Sequence, residues 1–230
     1  MRVLIFGASG SAGGGVLRAC LDAPHVTHVR AVVRRPLGIA HAKLEAVTHG
    51  DYADYRAMAA AFGGIDACFW CLGKSSTQVP TEAEYRRLTY DYAMAAAKAL
   101  RAASPAAVFH FISGKSTGLD SRYMWARVKA ETERDLIATV DAVCWRPGAI
   151  DGLPSASEPM LFRLARPVIR VVFGPFRSLY VKASDIGLAM IQATREGLRA
   201  SIIENAGIRD LADAARRTET QAGDRAGAAG

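Results

Sequence analysis

Long apolar runs are missing from this chain of 230 residues: nothing approaches the ~18 uninterrupted apolar residues that a membrane-spanning helix needs. The N-terminus opens directly into a strand pattern without a secretory leader, so a soluble, unprocessed, cytoplasmic protein is expected. Cysteine is scarce. Cys20, Cys68, Cys71 and Cys144 all stand inside apolar segments, which points to reduced core thiols rather than a disulfide framework. Cys68 and Cys71 have C-x-x-C spacing, but residues three apart on a strand face opposite sides, which disfavours a metal pair or a disulfide. His25, His28, His41, His49 and His110 show no metal-ligand spacing, so no metal is expected. Acidic residues are absent between Met160 and Lys182, where Arg163, Arg166, Arg170, Arg177 and Lys182 stand.

Half the residues are hydrophobic (50%) and 22% are charged, enough apolar content for a sizeable core. Lys plus Arg (29) against Asp plus Glu (22) gives a net charge of +7, which suits an anionic partner. The basic residues are not interleaved with a nucleic-acid-reading module, so neither nucleic acid nor membrane is expected as a partner, and a homodimer is left open. Arg163, Arg166 and Arg170 fall at helical spacing, as a solvated basic face or an anion-binding one, with Pro167 interrupting them.

Strand-length apolar runs alternate with helical patterns, the mark of successive βαβ units in an α/β protein with a doubly wound parallel sheet. Strands are expected at Arg2–Phe6, Val29–Val33, Leu44–Thr48, Ile65–Leu72, Ala107–Ile112 and Ala142–Trp145, with a last one at Ser201–Glu204. Helices are expected from about Val16 to Leu21, Asp54 to Phe62, Thr81 to Ala103 and Ser121 to Thr139, and from Ser184 as an N-cap. Pro154, Pro159, Pro167, Gly174 and Pro175 break the chain beyond Asp151, so 151–183 is expected to form part of a small C-terminal substrate lobe. Residues 1–212 then make one domain, and 213–230, without apolar periodicity, a flexible tail.

Directly after the first strand stands Gly7-Ala8-Ser9-Gly10-Ser11-Ala12-Gly13, with a helix following. Gly7 allows a tight turn, Gly10 lets backbone amides approach a pyrophosphate, and Gly13 lets the helix pack close to the strand. The helix start adds unpaired N–H groups and its positive dipole end. Strand, glycine turn and helix together make this a dinucleotide-binding signature of the Rossmann type, with Ser9, Ser11 and Ala12 in the cradle. After the second strand comes Arg34-Arg35 rather than a carboxylate. Two guanidiniums there favour a phosphorylated ribose, so NADP(H) is preferred and NAD(H) remains possible.

With Gly50-Asp51, Cys71-Leu72-Gly73, Ser113, Val128-Lys129, Arg146-Pro147-Gly148 and Glu204-Asn205 added, the chain resembles the atypical short-chain dehydrogenases/reductases, an epimerase/dehydratase-like group. Among them it is most similar to the Tat-interacting oxidoreductase group and its bacterial relatives, over about residues 2–212. The resemblance implies that Asp51 meets the adenine amino group, the alternative being a capping aspartate. It implies that Leu72 and Gly73 pass along the cofactor ribose, and that Pro147 and Gly148 lie beside the nicotinamide carboxamide, the alternative being plain turn chemistry.

The same resemblance implies a catalytic Ser, Tyr and Lys: the serine holds the substrate carbonyl, the tyrosine supplies the proton, and the lysine lowers the tyrosine's pKa and bonds the ribose. Ser113 matches the serine and Lys129 the lysine. Four residues before Lys129, on the same helix face, stands Trp125 instead of tyrosine, and an indole N–H cannot give up its proton near neutral pH. Tyr123 substitutes only if the helix begins after it; otherwise it packs. Lys115 either binds an acidic substrate or is a solvated loop lysine. The sequence therefore implies an NADP(H)-binding oxidoreductase of a small carbonyl-type substrate, with a catalytically silent sensor or scaffold as its rival.

Overall fold

Val3 and Ile5 face one way from the first strand, Leu4 and Phe6 the other, and each pair enters a different buried core. The computed structural model describes residues 1–153 and 176–227, with side chains to 221. The strands are β1 (Arg2–Phe6), β2 (His28–Val33), β3 (Leu44–Thr48), β4 (Ala67–Trp70), β5 (Val108–Ile112), β6 (Val143–Arg146), β7 (Ala149–Asp151), β8 (Tyr180–Lys182) and β9 (Ser201–Glu204). Seven of them form one sheet in the order β3-β2-β1-β4-β5-β6-β9, every neighbouring pair parallel. β7 and β8 pair separately, Ala149 opposite Tyr180.

The helices are α1 (Ser11–Asp22), α2 (Glu82–Arg86), α3 (Tyr92–Ala103), α4 (Met124–Val140), α5 (Ala183–Arg195) and α6 (Asn205–Gly227). α1, α5 and α6 cover the Val3/Ile5 face through Val16, Leu17, Cys20, Ile186, Met190 and Ile208. α3, α4 and a 3₁₀ segment over Arg56–Phe62 cover the other through Met94, Leu100, Leu136 and Phe62. Each fully buried side chain of this size contributes about 2 kcal/mol relative to exposure. Cys68 belongs to one core and Cys71 packs against the other, so the C-x-x-C pair does straddle the sheet. α1 and α5 approach closely because Gly15 faces Ala183, and Gly187 faces Ala19.

Several expectations change. The helix expected over 81–103 is interrupted by a π turn at Arg87–Asp91, and the 54–62 segment is 3₁₀ with a break at Met58. Lys182, not Ser184, is the N-cap of α5, because β8 runs straight into the helix and carries Ser184 inside it. The expected tail from 213 continues α6 as far as Gly227: Ile208, Ala212 and Ala215 are buried at helical spacing, a stripe of small residues that hydropathy alone underweights. Most of the expected lobe, with Arg163, Arg166, Arg170 and Pro167, lies outside the described residues. Of the other basic residues there, Arg177 pairs with Asp210 and Asp213.

Candidate functional site

β1 has β2 on one side and β4 on the other, so the strand order reverses at its C-terminal end, where open α/β sheets leave a crevice. The glycine turn fills that point. Gly7 has φ +76°, and a Cβ there would stand 2.6 Å from the Cys71 carbonyl oxygen at the end of β4. A Cβ on Gly13 would run into the Gly7 carbonyl. Gly10 is less constrained by packing, since its Cβ would meet only Gly7 O at 3.2 Å; it is the N-cap of α1, with no side-chain cap and no acidic residue in the first turn. Ser9 is exposed and Ser11 and Ala12 are half-buried along this lip. Leu153 N donates to Ser11 O at 2.9 Å, so the chain leaving β7 crosses the start of α1. A turn in which Gly7 and Gly13 leave no room for a Cβ, backed by an uncapped helix start, fits a pyrophosphate.

Arg34 and Arg35 follow β2, exposed, and neither has a carboxylate partner among the described residues. Arg34 lies near enough to Tyr52 for its charge to oppose the upward shift that burial gives that phenol. The ends of β2 and β3 are joined there by His49 N donating to Val33 O at 2.9 Å. Asp51 is exposed and accepts from Ala53 N at 3.0 Å, a turn contact; the next helical segment begins at Arg56 with Tyr55 as its N-cap. Leu72 is half-buried and Gly73 exposed, with no neighbour within 4 Å of a Cβ at Gly73.

The second half of the site lies past β5. Ser113 is 3% exposed, and its backbone N–H donates to Trp145 O at 2.7 Å. Thr117 Oγ1 donates to Gly114 O at 2.8 Å, so the 3.2 Å contact between the two hydroxyls is Ser113 donating to Thr117. Holding a substrate carbonyl requires Ser113 to exchange that partner. Lys129 Nζ donates to Ser113 O at 2.5 Å, and burial pulls its pKa down to about 8, against Glu133 one turn later. A Cβ built on Gly114 would stand 3.7 Å from both Lys129 Nζ and the Trp125 ring, which puts the indole beside the lysine.

α4 does begin after Tyr123, whose backbone is extended (φ −87°, ψ 123°). Yet Tyr123 is 49% exposed, its ring stacks on Trp125 (centroids 6.3 Å apart, planes at 22°), and its hydroxyl accepts from Arg122 at 2.5 Å. No hydrogen bond joins that hydroxyl to Ser113 or Lys129. Lys115 is exposed; its Nζ donates to Ser178 O at 3.1 Å and its N–H to Pro147 O at 2.8 Å.

Pro147 and Gly148 are held by a residue to which sequence reading gave no role. Asn205, 2% exposed, accepts from Gly148 N at 2.7 Å and donates to Arg177 O at 2.6 Å and Tyr180 O at 3.0 Å. Beneath it, buried Glu133 takes Arg146 through both carboxylate oxygens, with a closest approach of 2.6 Å, and Arg146 also reaches Glu204 at 3.2 Å. The only sequence signal was the Glu204-Asn205 dipeptide. No group of three or more metal-ligating side chains occurs among the described residues.

A family model described as NAD(P)H-binding matches residues 7–142. Protein FMP52, mitochondrial, of Eremothecium gossypii is 26% identical over 154 residues, 66% of this chain and 67% of that one. Its namesake in Saccharomyces cerevisiae is likewise 26% identical, over 155 residues, with the same 66% and 67% coverage. Among solved structures, an oxidoreductase of the short-chain dehydrogenase/reductase family from Burkholderia thailandensis superposes with TM-score 0.66 at 17% identity, covering 90% of this chain and 92% of that one. The Bordetella bronchiseptica enzyme WbmF, in complex with NAD+, gives TM-score 0.67 at 14% identity over 94% and 77%. The chain belongs to the NAD(P)H-binding family, with a short-chain-dehydrogenase-like Rossmann fold, and its ligand is a nicotinamide dinucleotide.

Proposed function

We propose that this chain binds NADP(H) in preference to NAD(H) and uses it to reduce a small carbonyl-type substrate. The observation that carries the cofactor preference is the unpartnered Arg34-Arg35 pair at the end of β2, where a 2′-phosphate would supply the missing anion. Gly7, Ser9, Gly10, Ser11, Ala12 and Gly13 would hold the pyrophosphate, Asp51, Leu72 and Gly73 would border the adenosine and ribose, and Pro147 and Gly148 would border the nicotinamide. Lys129 would bond the nicotinamide ribose and Ser113 would orient the substrate. Bound NADPH would supply the hydride.

Calorimetry with each coenzyme tests the preference. Charge-assisted contacts of about 1.5–3 kcal/mol correspond to a roughly 10- to 100-fold tighter Kd for NADPH than for NADH. Arg34→Asp should abolish that ratio. Equal affinities in the wild-type chain would overturn the preference, and no heat with either coenzyme would overturn the whole reading. A silent NADP(H) sensor is the second reading, favoured by Trp125 in the tyrosine's place and by the outward-turned Tyr123 hydroxyl. It requires coenzyme binding without turnover of any acceptor.

A further inference from the structure

We propose that the substrate is a planar conjugated dicarbonyl of the quinone class, seated against the Trp125–Tyr123 stack and reduced without a phenolic proton donor. This rests on the reading of the chain as an NADPH-dependent reductase. Two observations lead to it, one about protons and one about surface.

Apart from the Lys129 ammonium, which is bonded to Ser113 O, the proton inventory is short. Trp125 offers an N–H that does not ionise, Ser113 gives its hydroxyl proton to Thr117, and the Tyr123 hydroxyl is turned to Arg122 in solvent. Hydride addition to a simple ketone leaves an alkoxide, whose conjugate acid is about as weak as water, near pKa 15.7. Such an ion must be protonated as it forms. A quinone behaves differently: hydride transfer to one carbonyl oxygen makes the ring aromatic, leaving that oxygen as a hydroxyl and the other as a phenolate with a conjugate acid near pKa 10, as for tyrosine. That is about six orders of magnitude in acidity, and it removes the need for the missing phenol. NADPH loses a hydride and becomes NADP+; the quinone gains two electrons and a proton; the second proton comes from water after transfer. The Lys129 ammonium has protons beyond the one on Ser113 O with which to hold the phenolate. With its pKa near 8 it carries that charge at neutral pH.

The surface argues for the same class. Trp70 and Trp145 are fully buried, whereas Trp125 is half-buried. Tyr123 stacks on Trp125, and the Arg122 guanidinium lies 4.7 Å from the Tyr123 ring centroid. Three flat groups thus stand in series from solvent to the lysine. Such a face attracts a conjugated ring and gives little to a small aliphatic carbonyl.

The test uses the full chain with NADPH, after calorimetry has established that the coenzyme binds. 2-Methyl-1,4-naphthoquinone should be reduced with kcat/KM at least ~100-fold above cyclohexanone or benzaldehyde, the margin expected where a simple carbonyl lacks the phenol. Stacking of about 1–3 kcal/mol predicts that Trp125→Leu raises the naphthoquinone KM about tenfold or more, with kcat little changed. Trp125→Phe should fall between, which guards against a folding defect. Naphthoquinone should also quench the wild-type tryptophan emission more than that of Trp125→Leu, a readout independent of turnover. The proposal is overturned if NADPH binds and cyclohexanone is reduced as well as the quinone, if no acceptor is reduced, or if Trp125→Leu leaves both KM and quenching unchanged. Absence of NADPH binding instead removes the parent reading.

Discussion

The two ends of the dinucleotide crevice are built on different principles. At the β1 end, seven consecutive residues from Gly7 to Gly13 supply the cradle, and what matters is where side chains are absent. At the β5–β6 end, Ser113, Trp125, Lys129, Gly148 and Asn205 come from four separate stretches, joined by bonds spanning up to 57 residues. The first end is a backbone shape in which Gly7 and Gly13 leave no room for a Cβ. The second is a set of side chains whose chemistry can change while the scaffold stays, as with Trp125, where the resemblance implies a tyrosine.

On that contrast, the β5–β6 end should depend most on its buried ion pair. Glu133→Ala leaves Arg146 with only the exposed Glu204, and removing one partner of a buried pair costs about 3–5 kcal/mol. Urea denaturation should read that loss, and a change under 1 kcal/mol would mean the pair is not what fixes α4 to β6. The cradle should fail next. Gly13→Ala places a methyl against the Gly7 carbonyl, for which overpacking predicts about 1–3 kcal/mol of destabilisation and at least a ~10-fold weaker NADPH Kd. Full-affinity binding by this variant would erase the distinction between the two ends.

The same contrast decides what could be read from sequence. β1, β3 and β9 lie where the apolar runs place them, and the glycine turn is legible because its residues are contiguous. The start of α4 was placed at Ser121 rather than Met124, because Tyr123, an extended N-cap with no capping side chain, gives no polar start signal. Asn205 was visible only as a dipeptide, since its three partners, Gly148, Arg177 and Tyr180, are brought to it by β7, β8 and the turn before them. The direction of the Tyr123 hydroxyl depends on a rotamer and on Arg122, neither of which spacing encodes.

A pH effect separates the halves further. His110 on β5 is fully buried: its Nδ1 accepts from Trp145 Nε1 at 3.1 Å, and its Nε2 donates to Thr194 Oγ1 at 2.9 Å, which itself donates to Met190 O. Burial pulls its pKa down to about 3. The unfolded chain, with an ordinary imidazole near 6.5, takes up a proton that the folded chain refuses, so stability falls as pH drops from about 6.5 towards 3. At pH 5 the loss is about 2 kcal/mol, by linkage. Thermal melts between pH 7 and 5 should show the decline, and His110→Gln should flatten it. An unchanged slope in the variant would assign the effect to other groups.

The smallest expected effect is the most discriminating. Tyr123→Phe removes a hydroxyl whose one partner is the exposed Arg122 guanidinium, an interaction worth at most about 1 kcal/mol. The stacked ring on Trp125 remains, so the surface offered to a conjugated acceptor is preserved. Naphthoquinone turnover should then change less than about threefold, since no proton from this residue enters the transition state. A general acid, by contrast, contributes about 10²- to 10⁴-fold. A loss of that size on removing one oxygen would mean that Tyr123 swings inward to Lys129 during the reaction. The reaction end would then have kept the family's phenol chemistry two residues away from its usual position, and the contrast with the cradle would be one of placement alone.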